Sequence, residues 1–249
     1  PRRAAATASL PYAAVVAGEA KTESFRIFLE ADGKRVSPWH GVPLYPNGKE
    51  NEELSFICEI PKETQAKMEV ATDEALTPIK QDTKKGKLRD YPYNIHWNYG
   101  MLPQTWEDPG HKNEATDCFG DNDPMDVVEI GSVTGEMGAV YTVKPLGVLA
   151  MIDDGEIDWK LLALRTDDPK AAAVSTLEDV EREFPGEMDR IREWFRDYKV
   201  PDGKPQNKFG LDEKWMPKDY AMGIVRETAA FYDDLVSGKT ENSKGLSLE

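Results

Sequence analysis

The sequence predicts an α+β domain: a small, strongly bent sheet or barrel with helices packed on it. Two patterns carry this. Short runs of period-two hydrophobicity occupy the chain from Phe25 to Leu164, and helical periodicity takes over in the last third. The strand-like runs are short, even and punctuated by Gly, Pro and Asp, which favours a small barrel.

Taken in order, Phe25, Ile27 and Leu29 alternate with polar residues, as in a half-buried strand. Leu54, Phe56 and Cys58 alternate again, and Pro61 ends that run. Further strands are predicted over 126–130, 140–143, 146–151 and 159–164. No internal repeat is visible. Ser175-Thr176-Leu177-Glu178 resembles a capping box, with Glu178 three residues after Ser175. Leu177, Val180 and Phe184 then recur at helical spacing until Pro185-Gly186. Met188, Ile191 and Phe195 mark a second helix reaching Tyr198-Lys199, and a last helix is predicted from Tyr220 to Val236, stopped by Gly238. Residues 1–20 differ in composition: Ala-rich, with Arg2 and Arg3 and no acid before Glu19. They read as a flexible arm or the remnant of a transit peptide, which leaves 21–249 as one domain.

The chain of 249 residues is long enough to bury a full core. With 31 basic against 46 acidic residues it carries a net charge of −15, which disfavours general nucleic-acid binding. No apolar run approaches the ~18 residues of a membrane span. Cys58 and Cys118 lie far apart and read as reduced thiols rather than a disulfide framework. The three histidines show no His-x-x-x-His spacing for a zinc hydrolase. Neither a Walker loop nor Gly-x-Ser-x-Gly occurs. Lys84-Lys85-Gly86-Lys87, the one dense basic stretch, reads by itself as a solvated turn.

Acid density is the chemical signal. Asp121, Asp123 and Asp126 share one short run, and Asp153-Asp154-Gly155-Glu156-Ile157-Asp158 forms a second knot. Two like charges about 4 Å apart repel by about 4 kcal/mol at an effective dielectric near 20, so such clusters call for hard cations with oxygen ligands. An EF-hand loop beginning at Asp121 would need Gly and Glu where Asp126 and Ser132 stand, so that reading fails. Pro124 bends the run, which can return Asp126 toward Asp121 and Asp123. Asp158 and Lys160 share one strand face, and a metal ligand beside a cation suits a metal-bound anion. Lys67 and Glu69 alternate in the same way. Arg89 and the pair Tyr198-Lys199 add donors suited to phosphate oxygens.

These segments, in this order, resemble the eukaryotic family I soluble inorganic pyrophosphatases. The likeness runs from about Phe25 to the C-terminus. It includes Asp32-Gly33-Lys34, the 81–89 segment ending Gly86-Lys87-Leu88-Arg89, Asn98-Tyr99-Gly100, the 103–109 segment Pro-Gln-Thr-Trp-Glu-Asp-Pro, both acidic knots, and Lys199-Val200-Pro201-Asp202-Gly203-Lys204-Pro205. The resemblance implies a five-stranded OB-like β-barrel with flanking strands and C-terminal helices. It implies hydrolysis of pyrophosphate to two orthophosphates by a metal-activated water, with no covalent intermediate. Several Mg²⁺ ions would be the cofactor, with Mn²⁺ or Zn²⁺ as substitutes and Ca²⁺ as an inhibitor.

Carried onto this chain, the resemblance makes Asp121, Asp126, Asp153, Asp158 and Glu69 metal ligands and Asp123 the group that orients and deprotonates the attacking water. Lys67, Arg89, Tyr99, Lys160, Tyr198 and Lys199 would hold the phosphates, with Glu59 and Glu156 acting at one remove. Two departures stand out. Asn94 precedes Ile95-His96 where relatives have tyrosine, with Trp97 looking inserted, and Lys62-Glu63 follow Ile60-Pro61 where relatives carry Arg-Trp at a homodimer contact. Lys and Glu are poor interface anchors, so a monomer is favoured over the homodimer. The expected partners are pyrophosphate and phosphate, without nucleic acid or membrane. The expected location is the plastid stroma, with cytoplasm or mitochondrion as alternatives. Rival readings are a hydrolase of another phosphorylated substrate and an acidic, metal-stabilised binding module without turnover.

Overall fold

A computed structural model describes residues 11–249. Its main strands are β1 (Ala13–Ala17), β2 (Arg26–Ala31), β3 (Leu54–Ile60), β4 (Met68–Val70), β5 (Ile79–Gln81), β6 (Asn98–Met101), β7 (Asp126–Glu129), β8 (Val140–Asp153) and β9 (Glu156–Arg165). The longer helices are α1 (Leu177–Glu183), α2 (Glu187–Asp197) and α3 (Lys218–Val236). Strands precede helices, as the hydrophobic periods predict.

β1 pairs antiparallel with β2, Ala13 opposite Glu30 and Ala17 opposite Arg26. Part of the stretch expected to be a flexible arm is therefore a strand, while residues 1–10 lie outside the described residues. The reason is that β1 supplies backbone partners to an otherwise open edge of β2. On its other side β2 meets β5, and β5 pairs with β4, setting Glu69 opposite Lys80.

In the larger sheet β3 pairs with β6 and β8, β6 with β7, β7 in parallel with β9, and β9 with β8. β3 was expected to show one polar face, yet all its residues are buried. Ile57 and Ile60 enter one apolar cluster with Trp97, Trp194 and Phe195. Leu54, Phe56 and Cys58 enter another, which α3 covers with Ala221, Met222, Ile224 and Val225. The strands predicted over 140–143 and 146–151 are the single strand β8. Its register against β9 shifts between Pro145 and Gly147, where proline has no N–H for the ladder. A side chain at Gly147 would fall 2.7 Å from the Met216 carbonyl oxygen, so the bulge needs glycine.

The α1 cap lies one residue later than expected. Thr176, not Ser175, is the N-cap: its hydroxyl accepts from the Asp179 N–H at 3.2 Å, and the Asp179 carboxylate accepts from the Thr176 N–H at 3.1 Å. Asp179 takes the place expected of Glu178 because Thr176 is the residue with extended backbone. Gly186, at φ 75°, turns the chain into α2. α2 ends at Asp197, which leaves Tyr198 and Lys199 just beyond it. Among the described residues no helix is long and apolar enough to cross a membrane, and Cys58 and Cys118 are both free.

Candidate active site

Strand register assembles the innermost group. Tyr99 on β6 stands opposite Val128, Met101 opposite Asp126, and Asp126 on β7 opposite Lys160 on β9. These pairings bring together three side chains separated by up to 61 residues. Lys160 is 1% exposed. Its Nζ donates to Tyr99 Oη at 2.9 Å and to Asp126 Oδ2 at 2.5 Å, and pairs with Asp158. The Tyr99 hydroxyl in turn donates to Asp126. Burial opposes the ammonium charge, but Asp126 and Asp158 outweigh it and hold the Lys160 pKa above its ordinary value. The Lys160 ammonium also lies 5.1 Å from the centroid of the Phe195 ring, which Trp97 and Trp194 back at 5.8 and 5.1 Å. Trp97 is thus a core residue supporting this node.

β4 and the hairpin after β5 supply the next wall. Lys67 Nζ donates to Glu69 Oε2 at 2.5 Å and to Asp82 Oδ2 at 3.1 Å, and Arg89 pairs with the same Asp82 oxygen. Backbone bonds run from Lys67 N to Arg89 O at 3.0 Å, from Asp82 N to Lys67 O at 2.9 Å and from Arg89 N to Asp82 O at 2.8 Å. Burial alone would raise the Asp82 pKa, but Lys67 and Arg89 pull it below the usual carboxylate range. Glu59, on β3, accepts from the Val70 N–H at 2.7 Å. Burial, then Asp126, pushes its pKa well up.

The β8–β9 turn forms the third wall. Tyr198 Oη donates to Asp153 Oδ2 at 3.1 Å; Lys199 pairs with Asp153 and reaches Asp154 Oδ2 at 3.3 Å. On the loop before β7 the Asp123 N–H donates to Asp121 Oδ1 at 3.0 Å, and the Glu107 N–H donates to the Asp123 carbonyl at 2.9 Å. That loop passes so close to Glu107 that a Cβ at Gly120 would sit 2.5 Å from the Glu107 carbonyl oxygen.

The walls enclose a cavity of about 390 Å³ lined by Glu59, Lys67, Glu69, Tyr99, Asp121, Asp123, Asp126, Asp153, Asp158, Lys160 and Tyr198. Arg89 and Lys199 line an adjoining compartment of about 300 Å³, which shares Lys67, Tyr91 and Tyr198 with the first. Glu156 is the exception among the expected site residues. It is exposed at the start of β9 and lines neither compartment. Three groups escaped the sequence reading: the half-buried Asp82 and the buried Tyr91 and Glu107. Glu107 is 3% exposed and accepts from the Trp159 N–H at 3.2 Å. Its place within the 103–109 motif and the closeness of Asp82 to Arg89 were the available signals.

Carboxylate crowding is written in the protonation chemistry. Burial, then Asp158, Asp123 and Asp126, raises the Asp121 pKa well above normal. Burial, then Asp121, Asp158 and Asp126, does the same to Glu107. Enclosure by the cavity walls, then Glu69 and Asp126, pushes Asp123 up to about 7 against Lys67 and Lys160, although its side chain opens onto solvent. Burial and Asp126 push Asp158 up to about 7 despite Lys160. Among the described residues no three acidic, His or Cys side chains close on a common point as they stand. Lys160 draws Asp126 and Asp158 to itself, and Lys199 draws Asp153. The donor set still fits hard cations: it is all oxygen, holds more acid than its ammonium groups neutralise, and surrounds space enough for ions and an anion.

Acids facing a common cavity, edged by Lys, Arg and Tyr donors, define an enzyme that works on a phosphate anion with hard metal ions. Comparison with known proteins narrows the class. The family model described as inorganic pyrophosphatase matches residues 56–233. The chain is 61% identical over 224 residues to the chloroplastic soluble inorganic pyrophosphatase 1 of Chlamydomonas reinhardtii, covering 90% of this chain and 79% of the relative. It is 59% identical over 233 residues to the chloroplastic soluble inorganic pyrophosphatase 6 of Arabidopsis thaliana, covering 93% and 76%. A crystal structure of an N-terminally truncated vacuolar soluble pyrophosphatase of Trypanosoma cruzi, in complex with PPi, superposes with a TM-score of 0.86 at 40% identity, covering 91% of each chain. The chain belongs to the inorganic pyrophosphatase family, and the reaction is hydrolysis of pyrophosphate to phosphate.

Proposed function

We propose that this cavity hydrolyses pyrophosphate by direct attack of water, in a site built by residues 21–249 and loaded with Mg²⁺. The observation that carries the reading is the node of Tyr99, Asp126, Asp158 and buried Lys160. It places acid ligands and a desolvated cation against one cavity wall. Asp121, Asp126, Asp153, Asp158 and Glu69 would hold the ions. When bound, Mg²⁺ supplies Lewis-acid charge and makes a water molecule acidic enough to react near neutral pH.

The chain's own groups do the rest. Asp123, in the first acidic knot, opens onto the cavity that both knots line, where it can orient the water and take its proton. Lys160 and Tyr99 present donors to one phosphoryl group. Lys67, Arg89, Tyr198 and Lys199 present donors to the other, on the side that becomes the leaving phosphate. Asp82, between Lys67 and Arg89, fixes the reach of both cations. Phosphoryl transfer asks the protein for positioning and charge rather than covalent chemistry, and no activated Ser, Cys or His nucleophile is needed. Phosphate release after Mg²⁺ and pyrophosphate are added to purified protein tests the reading. No release, or faster release from nucleotides, would overturn it.

The circuit of pairings through β3, β6, β7, β9 and β8 supports a five-stranded OB-like barrel as the frame. A monomer is supported by Lys62 and Glu63, which spend their polar groups inside the chain. Lys62 Nζ donates to the Gly131 and Ser132 carbonyls at 2.9 and 2.7 Å, and His96 meets Glu63 at 3.0 Å. Light scattering at micromolar concentration tests this, and a mass near twice 27.9 kDa would refute it. The chloroplastic names of the two relatives support a plastid location.

A further inference from the structure

The inner cavity is acidic: eight carboxyl groups among its walls face three ammonium groups. The whole chain carries −15. Even with cations bound in that cavity, a multiply charged anion meets a net negative surface on its approach unless some path inverts the local sign. The adjoining compartment does so. Lys67, Lys84, Arg89, Lys199 and Lys204 line it, against Asp90, Asp154 and Asp202. Lys67, Arg89 and Lys199 pair with carboxylates around the inner site. Lys84 and Lys204 stand farther out and have no role in the chemistry described above.

Both are held at this mouth by the fold. Lys84 ends the first arm of a two-stranded hairpin, Thr83–Lys84 against Lys87–Leu88, turned by Lys85 and Gly86 at φ 55° and 71°. Lys84, Lys85 and Lys87 are all exposed. The base of the hairpin is fixed to the site, because the Arg89 N–H donates to the Asp82 carbonyl at 2.8 Å. Lys204 approaches Asp154 Oδ2 at 3.4 Å, on the carboxylate that also meets Lys199 at 3.3 Å. The 81–89 segment therefore carries Arg89 inside and a basic hairpin outside, with the basic compartment between them.

We propose that Lys84 and Lys204 form an electrostatic entry site that captures the phosphate anion at the mouth and passes it to Arg89 and Lys199. The inference rests on the pyrophosphate reading of the inner site. Steering acts on encounter, so it sets kcat/KM and leaves kcat alone, and salt screens it. The test is steady-state phosphate release by the intact chain and by the double variant Lys84→Gln/Lys204→Gln, with pyrophosphate and a fixed free Mg²⁺ concentration. A second double variant, Lys214→Gln/Lys239→Gln, removes the same charge from positions that line neither compartment. At about 0.01 M ionic strength, where charges act over about 30 Å, the entry variant should lose about fivefold in kcat/KM with kcat within about twofold. The gap should close to within about twofold near 0.5 M salt. Three results overturn the entry site: unchanged kcat/KM at low salt, an equal loss in the Lys214/Lys239 variant, or a loss that salt leaves untouched. Absence of turnover in the unmodified chain would instead overturn the pyrophosphate reading.

Discussion

Replacing Lys160 by methionine tests the central node. The Lys160 side chain is 2% exposed, and its partners Asp126 and Asp158 are 23% and 12% exposed. Methionine keeps most of the volume and removes the charge, leaving two enclosed carboxylates facing each other. Breaking a buried pair costs about 3–5 kcal/mol, and the partial opening of Asp126 argues for the lower end. At about 2–4 °C per kcal/mol for a chain of this length, a loss of about 3 kcal/mol lowers the metal-free melting temperature by about 6–12 °C. The loss should be smaller at pH 6 than at pH 8. Asp158 sits near 7 even with Lys160 opposing that rise, so without the lysine a proton on this carboxyl relieves the repulsion at the lower pH. Mg²⁺ should narrow the gap, because a cation between Asp126 and Asp158 replaces the missing ammonium. The assay is a pair of melting curves, in chelator and in Mg²⁺, for wild type and Lys160→Met. A metal-free variant melting within about 2 °C of wild type would refute the reasoning, as would a gap that Mg²⁺ widens.

Other outcomes follow from the same geometry. Asp123→Asn should lower turnover by about 10²–10⁴-fold with metal affinity retained, and near-native turnover would remove Asp123 from the proton-accepting role. With Ca²⁺ as the sole divalent ion, turnover should fail although the ion binds. Its oxygen distances of about 2.3–2.6 Å are longer and looser than the about 2.0–2.1 Å of Mg²⁺, and rates matching those with Mg²⁺ would contradict this site geometry. Asp123 and Asp158 both have folded-state pKa values raised to about 7, so the unfolded chain binds fewer protons between about pH 4 and 7. Metal-free stability should therefore fall as pH rises through that window and level off above it. Saturating Mg²⁺ should flatten the trend, and a metal-free melting temperature that rises from pH 5 to 7 would show that other groups dominate.

Much of this protein is legible in one dimension. Alternation at Phe25, Ile27 and Leu29, helical spacing at Leu177, Val180 and Phe184, and the break at Pro185-Gly186 mark elements that local physics dictates. The two acidic knots are equally visible, because crowded carboxylates are a property of the chain before it folds. Other features needed a third dimension. The union of two predicted strands into β8 depends on its neighbour β9, which pairs with it on both sides of the interruption at Pro145. The edge strand β1 depends on the open side of β2, a partner its composition does not announce. Lys160 and Asp126 are 34 residues apart, and only the parallel register of β7 and β9 makes them a pair. Glu107 and Asp82 looked like ordinary acids until the fold buried Glu107 against Asp121 and set the half-buried Asp82 between Lys67 and Arg89. The sequence by itself determined which chemistry the chain can hold, since residue types and local periods are fixed by covalent order. Tertiary structure alone decided which charges meet, because electrostatic coupling depends on distance and desolvation, and both are set by strand register and packing.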